Sequence, residues 1–142
     1  MKRKTWIWIT GFAVFFSILF LFTFNSSAWI GGRGNYDFVD GPRLLSPVTE
    51  DIDLTGKTLL EFKWMQTNLF RTDHYEFKLY KGYDTVESTL ILKQSVSLDD
   101  YPIQLPAAQF EVGQVYTWSL RQVFLDAVKS DRSYGSFTII KK

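Results

Sequence analysis

The chain changes its hydrophobic rhythm once. From Trp6 to Phe24 almost every position is apolar and none is charged, whereas from Leu44 onward apolar and polar residues alternate. The first pattern predicts a transmembrane helix over residues 6–24, because about 20 residues rising ~1.5 Å each cross roughly 30 Å of hydrocarbon. The second predicts strands with one buried face. Leu60-Glu61-Phe62-Lys63-Trp64, Tyr75-Glu76-Phe77-Lys78-Leu79, Tyr116-Thr117-Trp118-Ser119-Leu120-Arg121 and Ser136-Phe137-Thr138-Ile139 all keep period two, and Thr89 to Val96 is β-branched and apolar enough for another strand. Breaks come at Pro42, Pro47, Gly56, Gly82, Asp99-Asp100, Pro102, Pro106 and Gly113. No amphipathic helix is readable after residue 30. About seven short strands with regular turns predict an all-β fold, a β-sandwich, behind one N-terminal transmembrane helix. Its expected core is Phe62, Trp64, Phe77, Leu79, Trp118, Leu120, Phe137 and Ile139.

These rhythms divide the chain into a basic N-terminus (residues 1–5), the apolar run (6–24), a glycine-bearing tether (25–40) and the sandwich (41–142). Lys2, Arg3 and Lys4 precede the run, and Arg33 is the only nearby base beyond it. The positive-inside bias leaves the N-terminus in the cytoplasm and exports the sandwich. Trp6, Trp8 and Trp29 bracket the run where a membrane-interface aromatic belt would lie. Two fates are open to this segment: retention as a signal-anchor, which its length and flanking tryptophans suit, or cleavage after Ala28 at Ser26-Ser27-Ala28. Phe12, Phe16 and Phe20 recur every four residues and share one helix face, fit for helix packing or plain contact with lipid. The chain has no cysteine, so neither a disulfide nor a lipidated N-terminal cysteine exists. An exported domain of this kind suits the inner (cytoplasmic) membrane of a bacterium, with the sandwich periplasmic or extracellular.

Charge and chemistry narrow the function classes. The formal net charge is +1, and removing Lys2, Arg3 and Lys4 leaves −2, which makes no electrostatic case for nucleic acid. His74 is the only histidine, so the chain alone cannot build a multi-histidine metal site. Asp73 and His74 beside a serine would imitate a triad, but no nucleophile elbow frames them. Glu50, Asp51 and Asp53 offer oxygen ligands without the spacing of a calcium loop, and read as a solvated turn. Phosphate loops and dinucleotide fingerprints are missing from the sequence. The expectation is a protein with no catalytic residues, cofactor or metal.

The stretch Phe110-Glu111-Val112-Gly113-Gln114-Val115-Tyr116-Thr117-Trp118-Ser119-Leu120 resembles the corner and strand F of fibronectin type III domains. Phe110 stands where that family has Leu, and Val112 where it commonly has Pro. Leu44-Leu45-Ser46-Pro47 resembles its strand A, Trp64 its strand B core tryptophan, and Tyr75-Glu76-Phe77 its strand C. The resemblance implies a fibronectin III-like (immunoglobulin-like) sandwich in which Tyr116 buries its ring and bonds its hydroxyl to nearby backbone. It also implies that the B–C and F–G loops share a pole with the start of strand A, the membrane-facing end.

Both loops are apolar for turns: Met65, Leu69 and Phe70 in the first; Val123, Phe124, Leu125 and Val128 in the second. Either they dock on the membrane lipid or a neighbouring subunit, or Phe124 and Leu125 fold back into the end of the core. The expected function is non-catalytic: an accessory or assembly subunit of a larger membrane protein complex. The alternative is a secreted or surface-exposed module that binds polysaccharide or protein through Tyr80, Tyr83 and Tyr101. No small-molecule ligand is specified by the sequence.

Overall fold

Period-two alternation becomes strand wherever one face can be covered, and eight strands form in the computed structural model, which describes residues 39–142. They are β1 (Leu44–Ser46), β2 (Glu50–Asp53), β3 (Leu59–Trp64), β4 (Thr72–Lys81), β5 (Leu90–Val96), β6 (Ile103–Pro106), β7 (Val115–Phe124) and β8 (Ser133–Lys141). The predicted transmembrane helix, and with it Trp6, Trp8, Phe12, Phe16, Phe20 and Trp29, lies outside the described residues. Among the described residues no helix is long and apolar enough to cross a membrane.

Two sheets carry the fold, one of order β1-β3-β6 and one of order β2-β8-β7-β4-β5. The central pair of the larger sheet, β4 and β7, is antiparallel from Thr72↔Phe124 to Lys81↔Tyr116. Inward residues of both sheets meet in one aromatic core, as sandwich packing requires. Phe62 of β3 is fully buried and makes edge-on contacts with Phe77, Trp118 and Phe137 at centroid distances of 5.2, 5.3 and 5.8 Å. Every residue of the expected core is buried. Such edge-to-face pairs add roughly 0.5–1.5 kcal/mol each beyond their area.

Two polar atoms of this core are held by backbone, whereas Trp64 Nε1 and the Tyr75 hydroxyl are buried without a hydrogen-bond partner. The Tyr116 ring is buried against Phe110, and its hydroxyl accepts the Glu111 N–H at 2.9 Å, tying the entry to β7 as expected. The Trp118 indole N–H donates to the Pro47 carbonyl at 2.6 Å, fixing the chain where it leaves β1 for β2. Gly135 on β8 makes that crossing fit, since a Cβ there would lie 3.0 Å from Trp118 Nε1, 3.2 Å from Val48 and 3.3 Å from Leu44.

One element departs from expectation. Glu50–Asp53, read as a solvated A–B turn, is a strand that pairs in parallel with β8 from Glu50↔Phe137 to Asp53↔Lys141. The Thr49 N–H opens this pairing by donating to Ser136 O at 2.6 Å. An edge strand is satisfied by backbone bonding on one side, so its acidic side chains stay in water and no apolar alternation is needed.

Candidate functional site

Three chain segments converge at one end of the sandwich. The entry segment bonds through Val39 O, which accepts the Asp131 N–H at 2.7 Å, and through Arg43 O, which accepts the Met65 N–H at 2.8 Å. The β3–β4 connection bonds to the β7–β8 connection where the Leu125 N–H donates to Arg71 O at 2.9 Å. Past the sheet, β7 closes a tight turn, with the Phe124 N–H donating to Val128 O at 2.9 Å and Ala127 held at φ 64°. Gly41 lies against the backbone of the β7–β8 connection; a Cβ there would lie 2.9 Å from Asp131 O. The β3–β4 and β7–β8 connections thus share a pole with the point where the chain enters.

A buried amide holds this pole together. Gln122 occupies an inward position at the end of β7, and its Nε2 donates to Thr67 O at 2.8 Å and to Thr72 Oγ1 at 2.5 Å. Thr72 Oγ1 in turn donates to Asn68 O at 2.9 Å, and the Gln122 N–H donates to Ser130 Oγ at 2.9 Å. All three side chains are buried, so each bond replaces a lost contact with water. The result is a fixed platform beneath both loops. Sequence reasoning missed it because Thr72, Gln122 and Ser130 look like ordinary loop and strand polars until long-range pairing brings them together.

The platform displays five of the seven predicted partner residues. Phe70 is 80% exposed and Leu125 68%, and Met65, Leu69 and Val128 are also exposed. Val123 and Phe124 are not on this surface; both are buried, each only 5% exposed. Phe124 continues the inward positions of Leu120 and Gln122, whereas Val123 lies on the opposite face and pairs with Lys129 where the chain turns back. The Phe124 ring lies under the Arg71 guanidinium at 5.7 Å, and Arg71 reaches Asp126 at 3.6 Å. Folding back therefore describes Val123 and Phe124, while Leu125 stays outside.

The tyrosines divide in the same way. Tyr80 is buried at 3% exposure although it keeps the outward register of β4, opposite the likewise buried Thr117. Tyr101 is half-buried, edge-on to Trp64 at 4.9 Å. Only Tyr83 stands free, beside a shallow groove of about 280 Å³ that Glu50, Asp51, Ser136 and Thr138 also line.

Little chemistry gathers elsewhere. His74 Nδ1 and Asp73 Oδ2 are 2.7 Å apart, and no serine hydroxyl bonds to His74 among the described residues. Glu50 accepts from Ser46 Oγ and the Val48 N–H, and Asp53 from the Thr55 N–H, so two of the three clustered acids are engaged locally. No group of three potential ligands that could hold a metal ion occurs among the described residues.

The outer face of the larger sheet is different. Glu76 on β4 accepts from Lys129 Nζ at 2.7 Å and Arg132 Nη2 at 2.8 Å, with Arg121 Nε 3.9 Å away. The hydrogen bond from Lys129, opposed by partial burial and reinforced by the three positive charges, holds the Glu76 carboxyl below its ordinary value of 4.5. Comparison with known proteins adds no family to this description: no family model matches the chain, and neither does any curated protein sequence.

Proposed function

We propose that the chain is a non-catalytic, single-pass membrane protein whose exported, fibronectin III-like sandwich binds a partner subunit through its entry-side pole. The observation that carries this reading is the set Met65, Leu69, Phe70, Leu125 and Val128, exposed on a hydrogen-bonded platform at the pole where the tether arrives. Loop tips are normally polar, and apolar residues gathered on a rigid support favour contact with another apolar surface. Only 14 residues separate Phe24 from Val39, a reach of at most about 50 Å. A partner embedded in the same bilayer is within that span. The strand order, with β1-β3-β6 facing β8-β7-β4-β5, and the Tyr116 corner support the fibronectin-like assignment. The role is that of an accessory or assembly subunit at a bacterial cytoplasmic membrane, N-terminus inside and sandwich outside.

The test is extraction of the full-length chain in mild detergent, wild type beside a Phe70→Ser/Leu125→Ser variant. The wild type should migrate in a larger assembly and the variant as a lone, folded chain; an assembly that survives the double substitution refutes the reading. A second reading has one observation in its favour, the exposed Tyr83 beside the groove of Glu50 and Asp51. Aromatic and carboxylate groups together suit a polysaccharide ligand on a module released after Ala28. It predicts a soluble chain whose ligand binding is lost in Tyr83→Ala.

A further inference from the structure

The five-stranded sheet carries a segregated basic face. Residues 39–142 hold 12 Lys and Arg against 14 Asp and Glu, so a random face would be close to neutral or slightly acidic. Phe77, Leu79 and Leu120 point into the core, which sends Glu76, Lys78 and Arg121 outward from β4 and β7. Lys93 of β5 is the direct cross-strand partner of Lys78, and Arg121 that of Glu76. Lys129 and Arg132 reach the same spot from the β7–β8 connection through their bonds to Glu76. Five bases thus surround one carboxylate, and Glu76 is the only acid that pairs with any of them among the described residues.

Part of this charge faces the solvent: the Lys129 side chain is 47% exposed and that of Arg121 33%, while Arg132, 9% exposed, is engaged by Glu76. Like charges placed directly opposite on neighbouring strands destabilise a sheet, yet Lys78 and Lys93 face each other with no acid between them. Tyr134, exposed on the same face opposite Ser119, adds an amphipathic ring of the kind found at membrane interfaces. The chain enters at this margin too, because Val39 is bonded to Asp131, the neighbour of Arg132.

We propose that the outer face of the β8-β7-β4-β5 sheet rests on the anionic phospholipid headgroups of the membrane that holds the chain. The inference rests on the membrane-tether reading above and adds a second contact to it, distinct from the apolar pole. Bases gathered on one sheet face match an anionic surface, and a tether of at most about 50 Å keeps the domain beside that surface. Lying on this face, the domain presents its pole sideways to a neighbouring subunit.

Because the chain has no cysteine, one dye can be placed at will. Ser95→Cys, exposed on β5 beside Glu76, is labelled in the full-length chain, which is then reconstituted into vesicles. Energy transfer to a headgroup-labelled lipid is compared between phosphatidylcholine alone and phosphatidylcholine with one-third phosphatidylglycerol. The proposal predicts at least twofold higher transfer in the anionic vesicles, lost near 1 M salt, where the screening length is about 3 Å, and lost in Lys78→Glu/Lys93→Glu. Retention of the chain in an alkaline wash with no dependence on lipid charge overturns this proposal alone, and Lys93 then serves only to protect the edge strand β5. The same indifference together with binding of poly-L-glutamate by the detergent-solubilised chain overturns it in favour of an acidic polypeptide. Loss of the chain in the wash refutes the tether, and this proposal with it.

Discussion

Neighbouring residues of one turn should behave oppositely. Phe124→Ser removes a ring that is 95% shielded by the β7–β8 turn and Arg71, whereas Leu125→Ser removes a side chain already mostly in water. Large-to-small changes of a buried aromatic cost about 3–5 kcal/mol. The lost guanidinium contact adds up to about 1 kcal/mol at a partly exposed site. Full burial of a leucine is worth about 1.5–3 kcal/mol, so the third of Leu125 that is covered contributes about 0.5–1 kcal/mol. Trp64 and Trp118 are the only tryptophans of residues 39–142 and both are buried, so urea denaturation of that fragment followed by their fluorescence reads the core directly. With a slope of about 1–3 kcal/mol per molar urea, Phe124→Ser should lower the midpoint by about 1 M or more, or abolish folding, while Leu125→Ser shifts it three- to sixfold less and by no more than about 1 M. Equal midpoints for the two variants, or a larger loss at Leu125, would refute the placement of β7 and with it the platform.

Three further outcomes follow from the same geometry. Tyr116→Phe leaves the Glu111 N–H without its acceptor and should cost about 1–3 kcal/mol, with faster amide exchange at Glu111; unchanged exchange there counts against the corner. Gly135→Ala places a methyl against Trp118, Val48 and Leu44 and should cost about 1–3 kcal/mol in the same urea titration, whereas an unchanged midpoint would mean the β1–β2 crossing lies elsewhere. Glu76 has a folded-state value below 4.5, so it contributes stability above pH 4.5 that disappears as pH falls through its lowered folded value. Stability should fall from about pH 4.5 downward, and Glu76→Gln should flatten that part of the profile; an identical acid slope in the variant contradicts the Lys129 and Arg132 bonds.

Legibility followed the strength of local pattern. The alternating runs at Leu60–Trp64, Tyr75–Leu79 and Tyr116–Leu120 became β3, β4 and β7, because each inward residue had a facing partner to pack on. Glu50–Asp53 gave no such signal, since its strand exists through backbone pairing with β8 and leaves three acids in water. Alternation misjudged Tyr80 and Val123, which keep the outward register yet are covered, Tyr80 opposite Thr117 and Val123 where the chain turns back at Lys129. Exposure of Phe70 was readable from its place in a turn, whereas the sequence leaves Leu125 open between docking outward and folding back into the core. The Gln122 platform and the basic face were not, because Thr67, Thr72 and Ser130, or Lys78, Lys93 and Arg132, meet only after strands far apart in sequence have paired.

The most direct test of the account is the form in which the chain resides in its native membrane. Membranes are washed with alkaline carbonate, extracted in mild detergent, and the chain is weighed intact. A species near 16.6 kDa, still carrying residues 1–28, that resists the wash and elutes within a larger complex is the predicted result. A soluble, solitary chain beginning at Trp29 would contradict it and turn attention to Tyr83 and its groove.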